Sequence, residues 1–268
     1  MPDDLSRLAV HTITNRPWST EECIQNYAAA GVRGITFWRY NFEGRDPERI
    51  GRQAREAGLD VVAVARGGFF TNDDWWDDNR RAVDETAGCG APVLVLVCGA
   101  KPGQPLEVSR AQIAERLGKL LRYAAERDVK LAIEPLHPMY ADDRSAINTI
   151  AQAHALCDAL GSPPALGIAV DVYHTWWDPD LRKGIDRARK TGRLFSFHIC
   201  DWLTPTTDLL NDRGLMGEGC IDLKRISNWI GRSGFPGWRE VEIFSNRWWG
   251  TDQAQYLKKI VAAYQESL

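Results

Sequence analysis

The feature that most constrains this chain is an alternation, repeated eight times, of a short β-branched or aliphatic run with a longer segment. The runs are residues 6–14 (SRLAVHTIT), 32–38 (VRGITFW), 59–66 (LDVVAVAR), 92–99 (PVLVLVCG), 130–138 (KLAIEPLHP), 166–174 (LGIAVDVYH), 194–201 (LFSFHICD) and 238–245 (WREVEIFS). Between them, residues 19–31, 46–58, 109–128 and 145–161 carry helix formers at helical period. Ser19 or Thr20 ahead of Glu21 and Glu22, and Asp46 ahead of Pro47, read as helix starts, while Gly31, Gly58 and Gly161 follow helix ends. Strict alternation of strand and helix points to a parallel sheet. Eight such units in about 250 residues match a closed (β/α)8 TIM barrel, an α/β single domain over residues 1–268. The competing architecture is an open doubly wound sheet, but no strand here is followed by a GxGxxG fingerprint.

The last four runs each end in a possible metal ligand: Glu134, Asp171, His198 and Glu242. A closed parallel barrel brings the ends of consecutive strands to one face, so these side chains are expected to converge on one point. Packed like charges at a barrel mouth repel strongly without a cation. A set of three carboxylates and one imidazole suits Mn²⁺, with Mg²⁺ or Co²⁺ as substitutes and Zn²⁺ less favoured without a thiolate or second histidine. Strand parity agrees with this placement. Ala132, Ala169 and Ser196 stand two residues before a ligand and are expected inside, whereas Leu131, Ile133, Ile168, Val170, Phe195 and Phe197 are expected against the helices. The eighth run departs from small-inside, because Glu240 stands two before Glu242; either parity places it inside the barrel below the metal, or the strand is bulged.

Composition narrows the partners. A formal charge of −3 with no run of like charges argues against nucleic acid. No apolar stretch approaches the ~20 residues that span a bilayer, and the first residues, MPDDLSRLAV, lack a secretory pattern, so a cytoplasmic protein without membrane contact is expected. Cys23, Cys89, Cys98, Cys157, Cys200 and Cys220 form no CxxC pair, consistent with reduced thiols.

AIEPLHP, VDVYH, FHICD followed by MGEGCID, and VEIFS stand in order at the ends of the fifth to eighth strands. In these segments the chain resembles the xylose isomerase-like barrel superfamily, especially sugar epimerases of the tagatose/psicose 3-epimerase type. The resemblance spans essentially the whole chain. It implies that Glu134 and Glu242 bind metal and exchange protons on opposite faces of a sugar, and that His174 holds a substrate oxygen. Such epimerases carry an arginine six residues after the metal histidine, where this chain has Thr204; Arg213, in the loop at 203–219, is the available substitute. The departure leaves open a second chemistry, similar to that of the C-glycoside deglycosidase relatives, which act on 3-keto-glycosides and can require a small partner subunit. In that scheme His137, between Pro135 and Pro138 at the active face, is the base for elimination.

Proton removal beside a carbonyl is common to both schemes: return of the proton gives an isomerase or epimerase, and loss of a β-substituent gives a lyase. The expected partner is thus a small sugar or keto-glycoside, with a homo-oligomer or a hetero-oligomer with a small second subunit both open. His11, near the end of the first strand, and Arg144 are further candidate substrate contacts. Trp176 belongs to a set of tryptophans following the strands, with Trp18, Trp38, Trp75, Trp76, Trp177, Trp202, Trp248 and Trp249, that suggests an aromatic-walled mouth. No cluster of Lys and Arg is evident there, so a non-phosphorylated substrate is expected.

Overall fold

A computed structural model describes residues 4–267. Its strands are β1 (Leu8–His11), β2 (Gly34–Trp38), β3 (Asp60–Gly68), β4 (Val93–Val97), β5 (Lys130–Ile133), β6 (Leu166–Asp171), β7 (Leu194–Ile199), β8 (Asp201–Trp202), β9 (Arg213–Gly214) and β10 (Arg239–Val241). Eight of them close in the order β1-β10-β7-β6-β5-β4-β3-β2. All neighbours in the ring are parallel, as the alternation requires. Strands β8 and β9 form a separate antiparallel ribbon in the loop after β7.

The helix starts obey local chemistry. Ser19 Oγ accepts from the Glu22 amide while a Glu22 oxygen accepts from the Ser19 amide, closing a capping box on the helix Thr20–Ala29. Asp46 caps Pro47–Glu56, and Gly58, at φ 85°, supplies the left-handed turn after it. The helix expected within 145–161 is shorter, Ile150–Ala159, because the Thr149 side chain caps it at the Gln152 amide. Residues before that cap are engaged elsewhere: Ser145 bridges to Gly99, and the Ile147 carbonyl accepts from the Leu136 amide.

Strand parity separates two apolar layers. Ala9, Ala63, Val95, Ala132 and Ala169 fill the barrel interior. Leu131, Ile133, Ile168, Val170 and Phe197 join the shell between barrel and helices. Burying a large aliphatic or aromatic side chain contributes about 1.5–3 kcal/mol, so this shell is the principal stabilising layer.

Phe195 corrects the parity argument. Pairing passes from Ile168↔Leu194 to Ala169↔Ser196, leaving Phe195 as an extra residue that turns against the interior cluster. Gly167 makes room for it, since a Cβ there would stand 2.5 Å from the Phe195 ring.

All six cysteines are free, and Cys220 alone among them is exposed. Burial pushes the Cys23 and Cys89 thiols up to about 12 and Cys157 up to about 11. The native protein should therefore release one equivalent of chromophore with a disulfide reagent at pH 8, and six only in denaturant. Rapid labelling of more than one thiol in the folded chain would contradict this packing.

Candidate metal centre and its cleft

Asp171 closes β6 and His198 lies in β7, while Glu134 and Glu242 are the first residues beyond β5 and β10. In the ring, β6 and β7 lie between β5 and β10, so the two glutamates flank the aspartate and the histidine. One ligand atom from each of Glu134, Asp171, His198 and Glu242 falls within 4.8 Å of every other. Atoms bound at about 2.1 Å on opposite sides of one ion are about 4.2 Å apart, so the cluster is close to the size of a coordination shell.

The hydrogen bonding bears on whether these residues fit a cation. His198 Nδ1 lies 2.9 Å from Glu134 Oε1, yet neither atom makes an aligned hydrogen bond among the described residues. Buried polar atoms are ordinarily paired. Two that approach this closely without an aligned bond are placed as two ligands of one ion would be. The charges agree. Burial pushes the Asp171 carboxyl up to about 7 despite Arg213 beside it. Burial also opposes protonation of His198, but Glu134, Glu240 and Glu242 outweigh it and push the imidazole up to about 10. A divalent ion would relieve both imbalances and displace the proton from the imidazole.

Glu240 is inside the barrel as parity places it, 1% exposed, accepting from Thr36 Oγ1 at 2.7 Å. Its carboxylate lies 3.2 Å from His11 Nε2 and 3.9 Å from His198 Nε2. Burial would raise its pKa, but His11 and His198 hold it below the usual value. His11, expected to touch substrate, is instead wholly buried, with its Nδ1 3.0 Å from Glu242 Oε1. From the adjoining strand β1 it bridges Glu240 and Glu242, a supporting position not expected from the sequence.

Arg213 reaches the centre from the ribbon. The Phe244 carbonyl accepts from its backbone amide, and β9 pairs with β8, so the loop folds back over the barrel mouth. Asp201 anchors that loop by accepting from the Gly217 and Ile221 amides. Gly219 permits the close approach, because a Cβ would fall 2.1 Å from the Trp202 carbonyl oxygen. The guanidinium donates to Asp171 Oδ2 and Glu242 Oε2, each at 3.0 Å, and lies 3.2 Å from His174 Nε2. Burial, reinforced by Arg213, holds His174 well below its ordinary pKa, so it is a neutral imidazole. Burial would raise Glu242, but His11 and then Arg213 keep it ionised.

A cleft of about 210 Å³ opens on Glu134, Glu242, His174 and Arg213, with apolar walls that include Val97, Leu136 and Leu210. Of the tryptophans expected at the mouth, Trp38 lines it, with Phe69, Tyr140 and Phe244 completing the aromatic wall. The others pack elsewhere: Trp248 stacks on Tyr256, Trp75 meets Phe70 and Trp76, and Trp176 lies against Trp202. His137 and Trp176 are not among the lining residues. The His137 ring is packed between Trp177 and Trp202, and its Nδ1 accepts from the Met139 amide. Arg144 does line the cleft, as does Arg66, a residue the sequence reading passed over. The expectation of no basic cluster at the mouth is therefore corrected. Register between β3 and β4 shifts between Ala65 and Gly67, so Arg66 is the extra residue whose direction parity does not fix.

A closed parallel barrel with carboxylates and a histidine gathered at its C-terminal face defines the class. The family model for the xylose isomerase-like TIM barrel matches residues 24–266, and the chain belongs to that family. Among solved structures, protein SMc04130 from Sinorhizobium meliloti 1021 is 41% identical, with 98% of this chain and 99% of that one covered and a TM-score of 0.93. The IolI protein with a binding zinc atom is 18% identical over 97% of this chain and 96% of its own, at a TM-score of 0.82. The 3-keto-D-glucoside 4-epimerase YcjR from E. coli is 17% identical over 98% and 99%, at a TM-score of 0.77. Comparison with curated protein sequences found no significant match.

Proposed function

We propose that this chain is a divalent-metal-dependent sugar isomerase or epimerase that removes and returns a proton beside a sugar carbonyl. The observation that carries the reading is the convergence of Glu134, Asp171, His198 and Glu242 at the foot of a small cleft, with Glu134 Oε1 and the His198 ring nitrogens lacking aligned hydrogen bonds. These four residues would hold the ion, Mn²⁺ being the choice their oxygen-rich set favours, although the similar IolI structure carries zinc. Bound there, a divalent cation supplies Lewis-acid polarisation of a carbonyl and charge to offset a developing enediolate.

The chain's own residues do the rest. Glu134 and Glu242 both line the cleft from opposite flanks of the centre, which suits a proton taken from one face of a carbon and delivered to the other. Arg213 and the neutral His174 face the same space and would fix the substrate's oxygens. Trp38, Phe69 and Phe244 exclude water, strengthening each polar contact inside. The cavity is below the ~300–1,000 Å³ typical of drug-sized ligands, a scale that favours a monosaccharide over a glycoside with its aglycone. Elimination gains no support from His137, whose ring packs against Trp177 and Trp202 and is not among the residues lining the cleft.

Proton NMR in D₂O with Mn²⁺ and a panel of ketoses tests the reading. Deuterium should enter one carbon next to the carbonyl, accompanied by the epimer or isomer. Release of an aglycone from 3-keto-glycosides with no exchange into any ketose would overturn it.

A further inference from the structure

Of two arginines lining the cleft, Arg66 has no carboxylate partner among the described residues and Arg144 has only a long contact with its chain neighbour Asp143. No carboxylate of the described residues lies within 4.0 Å of the Arg66 guanidinium, which rests instead over the Phe69 ring at 4.1 Å. Arg144 meets Asp143 only at 4.0 Å and otherwise sits over Tyr140. The carboxylates nearest in the cleft are committed elsewhere, Glu134 to the centre with His198, and Glu242 to His11 and Arg213. Val95, Val97, Leu136 and Phe69 line the same cleft, and the Arg144 side chain remains 35% exposed. Burial, with Arg144 adding repulsion, brings Arg66 down to about 10. A largely buried cation such as Arg66, without a carboxylate in contact, is costly unless something supplies a counter-ion.

We propose that Arg66 and Arg144 form an anion-binding subsite in the wall of this cleft, so that the substrate is a small keto-sugar bearing a carboxylate or phosphate group. The inference rests on the sugar-converting reading for its substrate but not for its binding site. The guanidinium fork matches the paired oxygens of either anion. The same cavity places the anion beside Glu134 and Glu242. It would act as the remote handle whose binding energy orients the reacting carbon.

The binding arm needs no turnover. Calorimetric titration of inorganic phosphate, and separately of glycolate, is made into wild type, R66Q, R144Q and the double variant, with and without Mn²⁺, each variant being checked by circular dichroism. One anion should bind, with affinity lowered roughly tenfold to hundredfold per variant, the range for losing a hydrogen bond to a charged group. The stronger of the two probes identifies the group. Failure of wild type to bind either anion, or equal affinity in the double variant, overturns the subsite.

The catalytic arm compares kcat/KM for deuterium exchange into a ketose, its terminal phosphate and the corresponding ketonic acid. An anionic-over-neutral preference that falls tenfold or more in R66Q supports the subsite, and equal kcat/KM for all three in wild type overturns it. Anion binding that depends on Arg66 without exchange into any sugar would leave the subsite standing and remove the proposed reaction.

Discussion

Glu134→Gln, Asp171→Asn and His198→Ala are each expected to abolish tight Mn²⁺ binding and to lower turnover on the order of a thousandfold or more, the several kcal/mol a Lewis acid supplies. The first two replacements preserve shape while removing a charge, so the barrel should remain folded. Asp171→Asn keeps an oxygen for the Tyr173 amide, which Asp171 now caps at 2.8 Å, but weakens the contact with Arg213. Elemental analysis after dialysis, with circular dichroism on the same samples, measures both effects. Wild-type metal content and activity in any two of these variants would remove the assignment.

Glu240→Ala is expected to be the most destabilising single change near the centre. The carboxylate sits at the hub of Thr36, His11 and His198, all buried. Removing one partner of a buried charged network costs roughly 3–5 kcal/mol, because the remaining groups stay desolvated and unpaired. His11 would also lose the acceptor that fixes its ring against Glu242, so metal affinity should fall about 10–100-fold without loss of a direct ligand. Glu240→Gln keeps an oxygen for Thr36 and should recover part of the stability. An alanine variant with unchanged Tm and Mn²⁺ affinity would show that the network contributes nothing to either.

Much of this site was legible because a parallel barrel turns sequence position into spatial position. A candidate ligand at the end of each of four consecutive strands has one face available to it, and parity alone put Glu240 inside the barrel near them. What escaped the sequence lies where regular pairing fails. Phe195 and Arg66 are extra residues at register shifts, and an extra residue reverses the parity of its side chain. Arginine at the very end of the β3 run, followed by Gly67 and Gly68, was the available signal for the second. His11 was seen as a strand-end histidine, but its two carboxylate neighbours come from residues more than two hundred positions away, a pairing made only by closure of β1 on β10. The tryptophans misled for another reason. Following a strand places a side chain on the active face, but large rings there also fill the spaces between loops and helices, as Trp248 on Tyr256 does.

Deuterium exchange on one preparation in two states shows whether proton transfer here depends on an ion held by these four side chains. A ketose converted by the Mn²⁺-loaded chain is incubated in D₂O with that chain after chelator treatment, residual metal being checked by elemental analysis, and again after Mn²⁺ is restored. Carbon-bound deuterium incorporation should all but cease in the stripped chain and return on reloading. Undiminished exchange in a chain shown to be free of metal would contradict that dependence.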